Sequence, residues 1–139
     1  MKQITIAILL LFSVSVFSQT NTDMKAHYET YYTQMKKQGD VQGIINAMTH
    51  LNILEPSVAR QDTLAYLYLS EGKYMQAVNT IGVEKNTTDS DMNVEVKALA
   101  LKNLNQPKMA LEHYEILYMR NPKVYLAYEM ADMKIQTKD

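Results

Sequence analysis

Apolar positions in this chain recur at spacings of three and four residues. Tyr28, Tyr31, Tyr32 and Met35 form one such series, Leu64, Ala65 and Tyr68 a second, and Val94, Ala98 and Leu101 a third. Those spacings keep side chains on one face of a helix, so each series predicts a helix. Each is followed by a residue that tolerates the left-handed conformation ending a helix: Gly39, Gly72 or Asn105. Past each turn a further apolar series begins, centred on Ile44, Ala77 and Ala110. The pattern is a succession of helix pairs.

The pairs are copies of one unit. QGDVQGIINAMTHLNILEP (38–56), EGKYMQAVNTIGVEKNTTD (71–89) and LNQPKMALEHYEILYMRNP (104–122) superimpose without a gap. The intervals 77 − 44 and 110 − 77 are both 33, and Met48, Ile81 and Tyr114 follow in the same register. Such self-similarity marks a repeat architecture. It predicts units over 24–56, 57–89 and 90–122, with a final helix over 123–137. Pro56 and Pro122 lack an N–H and so suit the first turn of a following helix. Ala77 and Ala110 are small enough to let paired helices approach closely. The middle copy departs from the others. Gly82 falls inside its second helix, where glycine costs ~1 kcal/mol relative to alanine, and the polar run NTTDSD (86–91) replaces the closing proline. That helix is expected to end near Lys85, leaving the loop as the softest internal point.

These residues resemble the tetratricopeptide repeat family. Its signature has an aromatic, then Leu-Gly or Leu-Ala, then Tyr on the first helix, and Ala, an aromatic and a closing Pro on the second. Leu64-Ala65, Tyr68, Gly72, Tyr74 and Ala77 match in the middle copy. Ala98, Leu101, Ala110, Tyr114, Leu117 and Pro122 match in the third, while Tyr28, Gly39, Asp40 and Pro56 match in the first. The departures are a period one short of the family's usual ~34, Ile44 at a small-residue position, and Gln61 in place of an aromatic. Ankyrin repeats also have a period of ~33, but their Thr-Pro-Leu-His stretch is absent. The resemblance covers about residues 24–137. It implies an all-α fold, a right-handed α-solenoid of about three helix pairs plus a C-terminal helix.

Composition adds a leader and removes several functions. Lys2 precedes an apolar run from Ile4 to Phe17, and Val16 and Ser18 fit the small-residue rule of a signal peptidase. The run is shorter than the ~20 residues that cross a bilayer, so residues 1–18 read as a cleaved signal peptide and 19–139 as the mature domain. The expected location is the periplasm or the exterior. No cysteine is present, which excludes disulfides and cysteine-linked lipid. The formal charge is −1, and loss of Lys2 with the leader makes it −2. A near-neutral surface offers neither nucleic acid nor anionic lipid the concentrated basic face it needs. Lys36-Lys37 reads as a helix end, where cations complement the dipole.

Catalytic patterns do not form. His27, His50 and His113 each stand without a second histidine four residues away, so no helical metal pair exists, and each reads as a partly exposed surface residue. Ser57, Ser70 and Ser90 sit at turns, where a hydroxyl caps a helix. The four glycines are too scattered to cradle a phosphate. No enzymatic activity, metal or cofactor is expected. The ten tyrosines and ten methionines read mostly as core, since methionine fills irregular gaps between helices.

Binding is what the resemblance implies. Family members line a concave groove with the first helix of each pair and take peptides there. Carried onto this chain, that groove presents Glu29, Thr33 and Lys36, then Asp62, Tyr66, Leu69 and Ser70, then Glu95, Leu99, Lys102 and Asn103. Asp62, Tyr66, Leu69, Glu95, Leu99, Lys102 and Asn103 are the candidate contacts to a protein or peptide partner. Tyr66, Leu69 and Leu99 are apolar without a place in the packing pattern. A family subset grips chaperone C-terminal carboxylates with a ring of Lys and Asn; Glu29, Asp62 and Glu95 stand at cation positions of that ring and disfavour this ligand. The alternative is a structural subunit of a longer helical array, joined through its last helix. In KVYLAYEMADMKIQTKD (123–139), Val124, Tyr128, Ala131 and Ile135 share one face and Leu126, Met130 and Met133 the other. The apolar arc is about 220° at 100° per residue, against the ~100° a one-sided helix needs. Self-association or a docked partner is expected there.

The leader gives the first test. N-terminal sequencing of the exported protein, after removal of any pyroglutamate, should begin at Gln19; an intact Met1 chain in the membrane fraction would refute this.

Overall fold

The computed structural model describes residues 21–138, and every regular element in that span is an α-helix. They are α1 (21–38), α2 (Val41–Leu54), α3 (Val58–Ser70), α4 (Tyr74–Ile81), α5 (Asp91–Asn103), α6 (Pro107–Arg120) and α7 (Val124–Thr137). Residues 1–18, read above as a leader, lie outside the described residues.

The 33-residue period is a period of the backbone. α2, α4 and α6 begin at Val41, Tyr74 and Pro107, and α3, α5 and α7 at Val58, Asp91 and Val124, each 33 residues after the last. The cause is local. Gly39, Gly72 and Asn105 all adopt positive φ, at 70°, 70° and 57°. Each is followed by the same bond, reaching back five residues to the helix just ended: Asp40 N to Met35 O, Lys73 N to Tyr68 O, and Gln106 N to Leu101 O. This is the Schellman closure, which satisfies carbonyls a helix end would otherwise orphan. Glycine reaches that conformation freely, and asparagine is among the few other residues that visit it routinely.

The chain divides between Pro56 and Ser57 into two units, at the junction of the first and second helix pairs. In the first unit, a Cβ on Gly43 would lie 2.4 Å from Met35 Sδ. The missing side chain of Gly43, one residue before Ile44, is what leaves room for the buried Met35 side chain of α1. Tyr28 and His50 stack at 4.3 Å, and Lys25 Nζ lies 2.6 Å from Glu55 Oε2. Ile45, Ala47, Met48 and Leu51 are buried.

In the second unit α3 packs on α4, α4 on α5, α5 on α6 and α6 on α7, with a further contact between α3 and α5. Its core joins Ala65, Ala77, Val78, Val96, Ala98, Leu101, Ala110, Tyr114, Leu126 and Met133. Ala77 and Ala110 are completely buried, as their size requires.

Two expectations need correction here. α4 ends at Ile81, not near Lys85: Gly82 is its C-cap with φ 79°, so the glycine terminates the helix instead of weakening its interior. The helix has 8 residues where α2 and α6 have 14. The tyrosines and methionines are also less buried than expected. Met24, Met75, Met92 and Met119, with Tyr66, Tyr118, Tyr125 and Tyr128, are exposed, because these positions fall on the outer faces of their helices.

Ala110 tests the register. Ala110→Leu inserts three heavy atoms into a fully occupied space, at a cost of about 1–3 kcal/mol, and its melting temperature should fall by several degrees. Lys108→Leu, at an exposed position of the same helix, should shift it little. Equal shifts would reject this packing.

Candidate functional site

Between α3 and α5 lies a cavity of about 620 Å³ lined by Tyr66, Leu69, Ser70, Met92, Glu95, Val96 and Leu99. Helical spacing creates it. Tyr66, Leu69 and Ser70 span one turn at the end of α3, and Met92, Glu95, Val96 and Leu99 span two turns of α5. The lining is apolar apart from Ser70, the Tyr66 phenol and the Glu95 carboxyl. Tyr66 is 51 % exposed and Met92 45 %; neither is consumed by packing.

The structure thus gathers Tyr66, Leu69, Glu95 and Leu99 of the candidate contacts, with Ser70. The other three are placed elsewhere. Asp62 is buried, and its carboxylate accepts from Ser90 Oγ at 2.6 Å and Asn93 Nδ2 at 2.8 Å. It fastens α3 to the start of α5, where Ser90 Oγ also caps Asn93 N, so it is a structural group and not a groove contact. Lys102 donates to Glu129 of α7 at 2.5 Å. Asn103 Nδ2 donates to Leu99 O. Glu29, Thr33 and Lys36 belong to α1 of the first unit and are exposed. Met92 and Val96 were not among the residues the resemblance placed in the groove, although 92, 95/96 and 99 follow helical spacing along one face.

A second polar assembly holds the segment that follows the truncated α4. Lys97 is 3 % exposed; its ammonium donates to Asp89 Oδ2 at 2.6 Å and to Glu84 O at 3.1 Å. Arg120 donates to Thr87 O at 2.7 Å and to Asp91 Oδ1 at 2.6 Å. His113 Nε2 lies 3.0 Å from Val83 O. The loop expected to be soft is therefore fastened at four backbone or side-chain points by α5 and α6. His113 is 1 % exposed, which corrects its reading as a surface residue. A carbonyl only accepts, so Nε2 carries the proton and Nδ1 is left as a buried acceptor without a partner. Burial pulls the imidazole below its ordinary 6.5; the Val83 bond opposes this, Lys97 adds to it, and Glu112 and Asp89 oppose it. Tyr114 is shifted the other way, its phenol held well above the usual range first by burial and then by Glu129.

Among the described residues, no three His, Asp or Glu side chains gather as metal ligands, and no helix is long and apolar enough to cross a membrane. The outer face of α7 is open: Val124, Tyr128 and Ile135 are 74 %, 73 % and 76 % exposed, and Ala131 is exposed with them. Leu126 and Met133 on its inner face are buried. No protein-family model matches the chain, and no curated protein or solved structure matches it.

The buried histidine makes a pH prediction. A base with a depressed folded pKa binds fewer protons than the unfolded chain below pH 6.5. Its contribution is complete above that value and is lost as pH falls through it. The melting temperature should decline between about pH 7.5 and about pH 5.5, and His113→Gln, which keeps a donor for Val83 O, should flatten that slope. An unchanged slope would mean that His113 carries no such linkage.

Proposed function

We propose that this chain is an exported binding scaffold of the tetratricopeptide type, a right-handed α-solenoid of about three helix pairs plus a final helix. In the periplasm or outside the cell it holds an apolar segment of a protein partner in the cavity between α3 and α5. The observation that carries this reading is the set of apolar side chains facing open space there, Tyr66, Leu69, Met92 and Leu99. Concave sites of ~300–1,000 Å³ with apolar walls and a few polar groups are where ligands bind. The cavity's one carboxyl, Glu95, sets the expected preference: a segment with one or two aliphatic or aromatic anchors and a neighbouring Lys or Arg. Catalysis, metal and cofactor have no part in this reading, and neither does nucleic acid, given the near-neutral charge.

A second reading is favoured by the 73–76 % exposure of Val124, Tyr128 and Ile135. On it, the chain is a structural subunit that associates through α7.

Panning a displayed random-peptide library on the purified protein tests the first reading. Selected peptides should share apolar anchors beside a basic residue. Tyr66→Ala and Glu95→Lys should each weaken a selected synthetic peptide about tenfold or more, a loss of ~1.4 kcal/mol or more, with melting temperature nearly unchanged. Peptides that bind both variants as well as the parent would place recognition elsewhere.

A further inference from the structure

The exposed stripe of α7 is complementary to itself. Its residues 124, 128, 131 and 135 are spaced four, three and four apart, the d-a-d-a register of a coiled-coil seam. The rotation of the helix is fixed from the other side, by buried Leu126 and Met133 and by the Glu129–Lys102 ion pair. The seam therefore faces outward by construction.

We propose that α7 pairs with α7 of a second copy of this chain, antiparallel and about a two-fold axis. This rests on the second reading above and names its partner. The register follows from residue size. With the axis between Glu129 and Met130, Tyr128 faces Ala131 of the second copy and Val124 faces its Ile135. All four contacts satisfy one register, and each sets a large side chain against a smaller or similar one. A parallel pair would instead oppose Tyr128 to Tyr128 and Ala131 to Ala131, leaving a clash beside a void. The flanking charges agree. Tyr125 falls beside Asp132 of the second copy, a phenol donor beside a carboxylate, and Lys134 falls beside its Ala127, so no like charges meet. Antiparallel helices also set the positive end of one dipole beside the negative end of the other. An isologous contact of this kind closes after two copies and does not propagate into fibres. It would also cover the unpaired apolar end that repeat arrays otherwise cap with polar residues. A helix of 14 residues is only about 21 Å long, so the seam belongs with interfaces of less than ~1,200 Å², which are weak and transient. The dimer should be concentration-dependent.

Because the chain has no cysteine, the register can be read by cross-linking. Val124→Cys and Ile135→Cys chains are purified as the cell processes them, then oxidised separately and mixed. A disulfide needs Cα atoms within ~7 Å. Residues 124 and 135 of opposite copies meet that limit, whereas two copies of either position lie about 16 Å apart along the axis. The mixture should give a covalent dimer at least fivefold above either chain alone. Sedimentation of the parent should show monomer and dimer, and Tyr128→Glu with Ile135→Lys should give monomer with an unchanged melting temperature when dilute. A dimer that cross-links equally in the separate samples, or that survives the double substitution, overturns the antiparallel α7 pair while leaving self-association standing. A parent that is monomeric at every concentration overturns self-pairing; the second reading itself would fail only if the double substitution also left capture of any other partner unaffected.

Discussion

Each helix of the second unit can bury its apolar face only against the helices nearest to it in the chain, and the rest of the structure follows from that constraint. α3 through α7 pack in sequence order, with α3 also reaching α5 and the Lys102–Glu129 ion pair joining α5 to α7. The left-handed closures at Gly72 and Asn105 supply the regular spacing this packing needs, because they fix where α4 and α6 begin to the residue. α7 packs on α6 and buries Leu126 and Met133, while its opposite face at Val124, Tyr128, Ala131 and Ile135 is apolar and open.

Where the repeat fails locally, polar chemistry takes over from packing. α4 stops six residues short of the length of α2 and α6, and an apolar helix surface is missing where its last turns would lie. Residues 83–90 follow outside any helix. Their carbonyls are met instead by Lys97, His113 and Arg120. Burying Lys97 is favourable only because Asp89 and the Glu84 carbonyl both receive its protons; an ammonium with neither would carry a penalty of several kcal/mol. Buried charge of this kind is better understood as fixing one path for the loop than as adding net stability. The orphaned Nδ1 of His113 shows that the solution is incomplete.

Much of the fold was legible in the letters. Apolar spacing located the helices, and the turn residues located their ends, since left-handed closure has few substitutes for Gly and Asn. The inner and outer faces of α7 followed from its 3.6-residue periodicity alone. What was not legible was anything set by side chains meeting across distant parts of the sequence. Gly82 looked like a helix-weakening residue because propensity does not reveal whether a glycine adopts positive φ. His113 looked like a surface residue and Asp62 like a groove residue because their partners lie 28 to 31 residues away. A charged letter gives no sign that a loop will fold over it. Most of the cavity lining, Tyr66, Leu69, Ser70, Glu95 and Leu99, was named through the resemblance, but Met92 and Val96 were hidden among letters that also fit a packed face.

The period also relates the cavity to a polar contact one interval further on. Adding 33 to Leu69 and Val96, which line the cavity between α3 and α5, gives Lys102 and Glu129, which form the ion pair between α5 and α7. The same two backbone positions thus carry an apolar pair in one interval and a charged pair in the next. Both members of the ion pair remain partly exposed, at 33 % and 28 %, so its contribution to stability is modest. Its effect is geometric. It ties α7 to α5 at one point on its inner side. A repeated backbone offers equivalent positions at successive intervals, and here the same two carry apolar side chains in one interval and an ion pair in the next.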